Sequence, residues 1–225
     1  MRSGFGAQLS DDSWRALVEA GRHLTFHRDE IILRQGSTER HVLLLRSGTV
    51  KVVRQEPSGR RVFLAVRGPG EALGELAALD EERSRSATVI GMADGSLSVL
   101  AASRFQGLID RLGLQGMVSR HLLARFCEAE ELRAELLELA SSQRLARCLL
   151  RIAQTCGPRI ALTQDELTQA VGLSRSAIAA ELAALRRQGI LETNYGALVI
   201  RHAGALAEWP DSHRTMSNAG QSHRR

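Results

Sequence analysis

The sequence predicts an α+β chain in three parts. These are an N-terminal antiparallel β-roll of the jelly-roll kind over residues 12–112, a long helix over 113–140 and a C-terminal winged helix-turn-helix over 141–205. Short β-rich runs punctuated by glycine turns fill residues 22–100. At Leu114 the apolar spacing changes to steps of three and four residues. Further on, two helix starts fall close together on either side of Gly172.

The chain opens with Trp14, Leu17 and Val18 at helical spacing. Runs at 31–33, 41–45, 49–53, 61–66 and 96–100 are rich in Val, Ile, Leu and Phe, and turns at Gly36, Gly48, Gly59 and 68–70 separate them. Such even spacing is the pattern of a closed or rolled antiparallel sheet.

Leu114, Val118, Leu122, Phe126, Ala129, Leu132, Leu136 and Leu139 then mark one stripe of a single helix. At about 25 residues it would reach roughly 38 Å, too far for a small β-roll to cover. A matching helix from a second copy of the chain accounts for the remainder. The competing reading is a core helix within one chain, because His121 and Arg125 interrupt the seam. Small residues at 140–143 place a hinge before a further helix over 144–155, which Gly157-Pro158 closes. Beyond Trp209-Pro210 the tail DSHRTMSNAGQSHRR has no apolar period, and residues 206–225 are expected to be unstructured.

In LTQDELTQAVGLSRSAIAAELAALRRQGILE, Thr163 can cap a helix with Glu166 completing a capping box, and Ser174 can cap the next. Leu167, Ala170, Val171, Ile178, Leu182 and Leu185 supply the faces on which the two helices pack. The second helix leaves Arg175, Ser176, Ala179 and Ala180 outward near its start, the end that reads base edges in such a motif. Arg175 is the candidate for a bidentate contact to guanine, a contact giving about 1–3 kcal/mol of discrimination. Thr163, Gln164 and Ser174 suit phosphate contacts that set the register. Arg186 and Arg187 read as a solvated helix end favoured by the helix dipole. Two short strands about Asn194-Tyr195-Gly196 complete a wing.

A net charge of +5, from 30 Lys+Arg against 25 Asp+Glu, favours a polyanionic partner. Lys51 is the only lysine, so the arginine excess reads as genome composition rather than a demand of one site. Cys127, Cys148 and Cys156 have neither metal-site nor disulfide-scaffold spacing and are expected to be reduced and mostly buried. No apolar run approaches the roughly 20 residues of a membrane span, and the start MRSGFGAQLSDDSW has no apolar core of a signal peptide. A cytoplasmic protein without membrane contact is the expectation.

Residues 69–77, PGEALGELA, lead through an acidic loop to RSRSATV at 83–89. Here the sequence resembles the Crp/Fnr family and, within it, the phosphate-binding cassette of cyclic-nucleotide-binding domains. The resemblance runs from about residue 12 to 205 in the family's order of β-roll, helix and winged helix-turn-helix. It implies a bacterial homodimeric transcription regulator, not an enzyme. Such a regulator binds double-stranded DNA and pairs with its own copy through 113–140, with RNA polymerase a further candidate partner. Its DNA affinity would respond to cyclic AMP, cyclic GMP or a related ligand held by Gly74, Glu75, Leu76, Arg85, Ser86 and Ala87, with Arg125 reaching from the long helix towards Glu75. The chemistry is consistent: Gly74 admits a ligand close to the backbone, Glu75 can accept from a ribose hydroxyl, and Arg85 offers a fork to phosphate.

Two departures stand out. Ala129 and Glu130 occupy the places of the Thr-Ser pair that meets adenine in cyclic-AMP receptors, and Ser176 and Ala180 replace the Glu and Arg of familiar recognition helices. A ligand-independent regulator with a structural β-roll is therefore the alternative. Iron–sulfur sensing would need an N-terminal cysteine group, and no Cys precedes Cys127. His23, His27 and His41 are isolated among β-runs and read as structural rather than haem ligands. A cupin-like metal enzyme, the remote rival, would need clustered His and carboxylate ligands at a spacing the chain lacks, so no metal ligands or catalytic residues are assigned.

Overall fold

The computed structural model describes residues 2–80, 82–194 and 196–209. The chain divides into two compact units, Met1–Ala129 and Glu130–Arg225.

The first unit opens with α1 (Gly4–Ala7) and α2 (Asp11–Glu19), the latter capped by the Ser10 side chain. The β-roll follows as β1 (Arg22–Phe26), β2 (Ile31–Leu33), β3 (His41–Ser47), β4 (Val50–Gln55), β5 (Arg61–Arg67) and β6 (Ala72–Leu73), then α3 (Glu75–Leu79), β7 (Thr88–Gly91), β8 (Gly95–Ala101) and α4 (Ala102–Arg111). Two antiparallel four-stranded sheets result, ordered β1-β8-β3-β6 and β2-β7-β4-β5. Phe26, Leu33, Leu43, Leu45, Val50, Leu73, Val89 and Leu97 fill the space between them. A second core forms where Phe5, Leu17, Val42, Leu44, Leu100, Phe105 and Leu108 pack together. β3 thus sends Leu43 and Leu45 to one core and Val42 and Leu44 to the other, which explains why its apolar run is continuous rather than alternating.

Helix α5 (Gln115–Glu138) is the predicted long helix, 24 residues in one piece. His121 is its one buried residue, while Leu123, Phe126, Leu136 and Leu137 are exposed, Phe126 at 63%. The division between the units falls inside this helix, ahead of the 140–143 break where the sequence places a hinge. Of the three thiols Cys148 is buried and Cys156 half-buried. Cys127 is exposed on α5, so the expectation of mostly buried cysteines fails there.

The second unit contains α6 (Ser141–Cys156), β9 (Arg159–Ile160), α7 (Gln164–Val171), α8 (Arg175–Arg187), β10 (Leu191–Asn194), β11 (Ala197–Ile200) and α9 (Ala203–Ala207). Helix α6 starts ahead of the expected Arg144 because Ala140, in extended conformation, is its N-cap residue. Gly157, at φ 80°, closes it as anticipated. Leu145, Leu149 and Ile152 of α6, Leu167 and Val171 of α7, and Ile178, Leu182 and Leu185 of α8 are all buried. The wing is a three-stranded sheet, β10-β11-β9, one strand more than the sequence reveals; Tyr195 of its turn lies outside the described residues. Residues 206–209 are folded, contrary to the expected tail boundary. Leu206 and Trp209 are buried, and Trp209 Nε1 donates to Glu181 Oε2 at 3.3 Å. The rest of the expected unstructured tail, from Pro210, lies outside the described residues. No helix among the described residues is long and apolar enough to cross a membrane.

Candidate functional site

In the first unit the chain enters the candidate cassette through β6 and turns at Gly74, whose φ of 77° places it in the left-handed region that favours glycine. A Cβ there would collide with Arg85 Nη1. Glycine is thus required twice, by conformation and by space. Arg85 is 3% exposed; its Nη1 donates to Gly74 O at 2.5 Å and its Nη2 to His41 O at 2.6 Å, while its Nε is buried without a partner. Reciprocal backbone bonds to the β2–β3 loop, Gly36 N to Arg85 O and Arg85 N to Ser37 O, fix the returning segment. Gly74 and Arg85 are therefore brought together as the sequence predicts. Leu76 and Ser86 are exposed and Ala87 half-buried at the same turn.

Glu75 begins α3 with its side chain largely buried, and burial pushes its carboxyl above the usual range. Its near neighbour on α5 is His121, with Nε2 3.8 Å from Glu75 Oε1. That approach is not an ion pair, because burial and the positive charges of Arg125 and Arg67 depress the imidazole to about 4 and leave it neutral. His121 Nε2 is another buried atom without a hydrogen-bond partner.

Arg125 does not pair with Glu75. Its Nη2 donates to Glu71 Oε2 at 2.6 Å, and its Nη1 reaches Glu128 Oε2 at 3.4 Å. The physical reason lies in helix geometry: His121, one turn before Arg125, takes the place beside Glu75, and Arg125 meets the preceding carboxylate instead. Arg67 of β5 completes the cluster with a fork onto Glu128, at 2.8 and 2.6 Å. Burial raises Glu71 against the pull of Arg125 and Arg67. At Glu128 burial acts the same way, but the Arg67 fork and Arg125 outweigh it and hold the carboxyl low. Glu71, His121, Glu128 and Arg67 were missed by sequence reasoning. The available signal was the spacing of His121, Arg125 and Glu128 along one helix face.

In the second unit Thr163 forms the complete capping box with Glu166, and Ser174 Oγ accepts from Ala177 N at 3.2 Å. Gly172, at φ 70°, makes the left-handed turn between α7 and α8. Arg175, Ser176, Ala179 and Ala180 are exposed near the start of α8, the outward positions expected there, and Ser174 at its cap and Gln164 at the start of α7 are exposed as well. Two contacts were not foreseen: Ser176 Oγ lies 3.0 Å from Ser174 Oγ, and Arg175 is held by Asp165 of α7. Arg186 and Arg187 are exposed at the far end, where Arg186 reaches Thr193 of the wing at 3.2 Å.

Comparison with known proteins gives both halves a family. The cyclic nucleotide-binding domain profile matches residues 23–112, and that of the Crp-like helix-turn-helix domain matches 143–209. The chain is 33% identical over 179 residues to the cyclic AMP receptor protein of Thermus thermophilus, covering 79% of this chain and 82% of that protein. It is 26% identical over 215 residues to a CRP-like cAMP-activated global transcriptional regulator of Mycobacterium tuberculosis, covering 92% and 96% respectively. The solved structure of the c-di-GMP-responsive global regulator CLP of Xanthomonas campestris shares the fold, with a TM-score of 0.73 at 18% identity over 86% of this chain and 100% of that one. A cyclic nucleotide-binding β-roll joined to a Crp-like helix-turn-helix, at these levels of identity, means that the chain belongs to the Crp/Fnr family of transcription regulators.

Proposed function

We propose that this regulator acts as a homodimer whose affinity for double-stranded DNA is set by a phosphorylated small ligand at Gly74, Glu75, Leu76, Arg85, Ser86 and Ala87. The observation that carries the reading is the buried Arg85, with Nε unpartnered, seated in the space that the missing Cβ of Gly74 provides. An orphaned guanidinium nitrogen in a buried place is costly, and an anionic ligand would satisfy it. The buried Glu75 would accept from a sugar hydroxyl. Arg125 then acts at one remove, anchoring α5 to the cassette through Glu71. The relatives' names make cyclic AMP the first ligand to test and c-di-GMP the next.

The exposed Leu123 and Phe126 on α5 support pairing with a second copy within residues 113–140. On DNA, Arg175 reads a base edge while Thr163, Gln164, Ser174 and Ser176 hold phosphates. This reading places the protein in the cytoplasm with its DNA, offers RNA polymerase a bound dimer to meet, and assigns no catalytic role. One observation favours a ligand-independent regulator: both terminal nitrogens of Arg85 already donate to carbonyls.

Thermal unfolding with cyclic AMP, cyclic GMP and c-di-GMP separates the two. At a hundredfold excess over Kd, a ligand that binds only the folded chain raises Tm by about 5 °C or more, and Arg85→Gln abolishes the rise. A wild-type Tm unmoved by all three leaves the structural β-roll as the answer.

A further inference from the structure

Arg175 is poised on α8, but its guanidinium is not free. Asp165, in the first turn of α7, takes it side-on: Oδ1 lies 2.8 Å from Nε and Oδ2 accepts from Nη2 at 2.8 Å. A guanidinium has five N–H donors in a planar fork. The side-on carboxylate accepts from one Nη2–H and covers the Nε edge. The end-on edge, formed by Nη1 and the second Nη2 hydrogen, stays open, and that edge matches guanine O6 and N7. Asp165 and a guanine can therefore bind Arg175 at the same time. Both side chains are solvent-exposed, 77% for Arg175 and 52% for Asp165, so the pair adds little to folding.

We propose that Asp165 is a positioning residue for DNA reading, which fixes the Arg175 fork end-on to the groove and keeps it off the phosphate backbone. The inference rests on Arg175 as the base-reading residue. A lone arginine at this position has several rotamers, and many of them end on a phosphate, the densest source of negative charge on the duplex. The carboxylate counters this in two ways. It holds the side chain through the Nη2 hydrogen bond and the 2.8 Å ion-pair contact at Nε, and its own charge repels a phosphate that would compete for the same fork. The contact to DNA thereby depends on the base rather than on the backbone. The surroundings of Asp165 fit the role. The capping box of Thr163 and Glu166 fixes the start of α7, and Thr168 Oγ1 donates to Asp165 O at 2.6 Å, so the carboxylate leaves a rigid turn. The neighbouring outward residues Ser176, Ala179 and Ala180 are short and leave the aim of the fork unobstructed.

The test begins with full-length wild-type protein selecting duplexes from a randomised pool, in the presence of cyclic AMP and cyclic GMP. Competition titrations then compare the selected duplex with versions in which each favoured guanine is changed to adenine. Wild type, Asp165→Asn, Asp165→Glu and Arg175→Ala are measured at several salt concentrations, with Tm as the check on folding. In Asp165→Asn the guanine preference at one position per half-site falls about two- to fivefold, while affinity for unrelated duplex rises and its salt dependence steepens by about one unit of slope. Asp165→Glu keeps the carboxylate and keeps the preference. A guanine preference undiminished in Asp165→Asn overturns the positioning role, and one that sharpens shows that the carboxylate merely competes with DNA. If Arg175→Ala retains the wild-type preference, or no sequence is selected at all, the underlying assignment of Arg175 fails instead.

Discussion

At His121 burial and charge push the same way. Phe5 meets the ring edge-on with centroids 5.5 Å apart, and Arg125 and Arg67 add positive charge, so the native imidazole titrates at about 4 against 6.5 in the unfolded chain. Between these values the unfolded chain binds a proton that the native one does not, and stability falls as the pH falls through that window. Glu71 and Glu75, raised mainly by burial, act in the opposite sense, since the native state protonates them before the unfolded chain does. We expect His121→Gln to lessen the loss of stability between pH 6.5 and 4 by on the order of 2 kcal/mol. Urea unfolding at intervals across that range measures it, and parallel curves for the two proteins would contradict it. Glu75 and Arg85 were legible because the cassette is a local pattern of letters. The partner of Arg125 was not, because Glu71 lies 54 residues away in the sequence and nothing local distinguishes it from Glu75. His121 and Arg125 read as breaks in an apolar seam, whereas they belong to a polar stripe that faces the cassette.

Among the elements, α5 was the most readable and β1 among the least. An unbroken period of three and four residues without proline defines a helix on its own, and both caps of the α7–α8 pair are written in adjacent side chains. β1 exposes four of its five residues and β6 has only two, so neither shows the alternation that marks a strand. The short α3 was hidden as well, since its start is set by the turn at Gly74 rather than by an apolar period. The exposed stripe of α5 leads to a prediction at this scale. Phe126→Glu places a charge in the expected helix seam and should weaken self-association by about 30-fold or more, read by sedimentation at micromolar concentration. Because Phe126 is exposed in the single chain, Tm at low concentration should change little. A variant that sediments like wild type would remove α5 as the pairing surface.

At the level of the whole molecule, the proposed function requires that effector and DNA be linked through one chain, and linkage is reciprocal. If an effector raises DNA affinity tenfold, saturating DNA must raise effector affinity by the same factor. Calorimetric titration of effector into free and DNA-bound protein checks this, and equal affinities would show that the β-roll does not govern DNA binding. β3 bears on how the first unit holds together under such demands. Its side chains alternate between the core separating the two sheets and the core beneath the helices, so both share one backbone. Loss of one core is therefore expected to loosen the other, and amide protons of β3 are expected to be among the slowest of the unit to exchange with solvent. Arg85 donates to the carbonyl of His41 at the head of this strand. The cassette arginine is thereby moored to the strand the two cores share, so its position is expected to change only when that strand shifts.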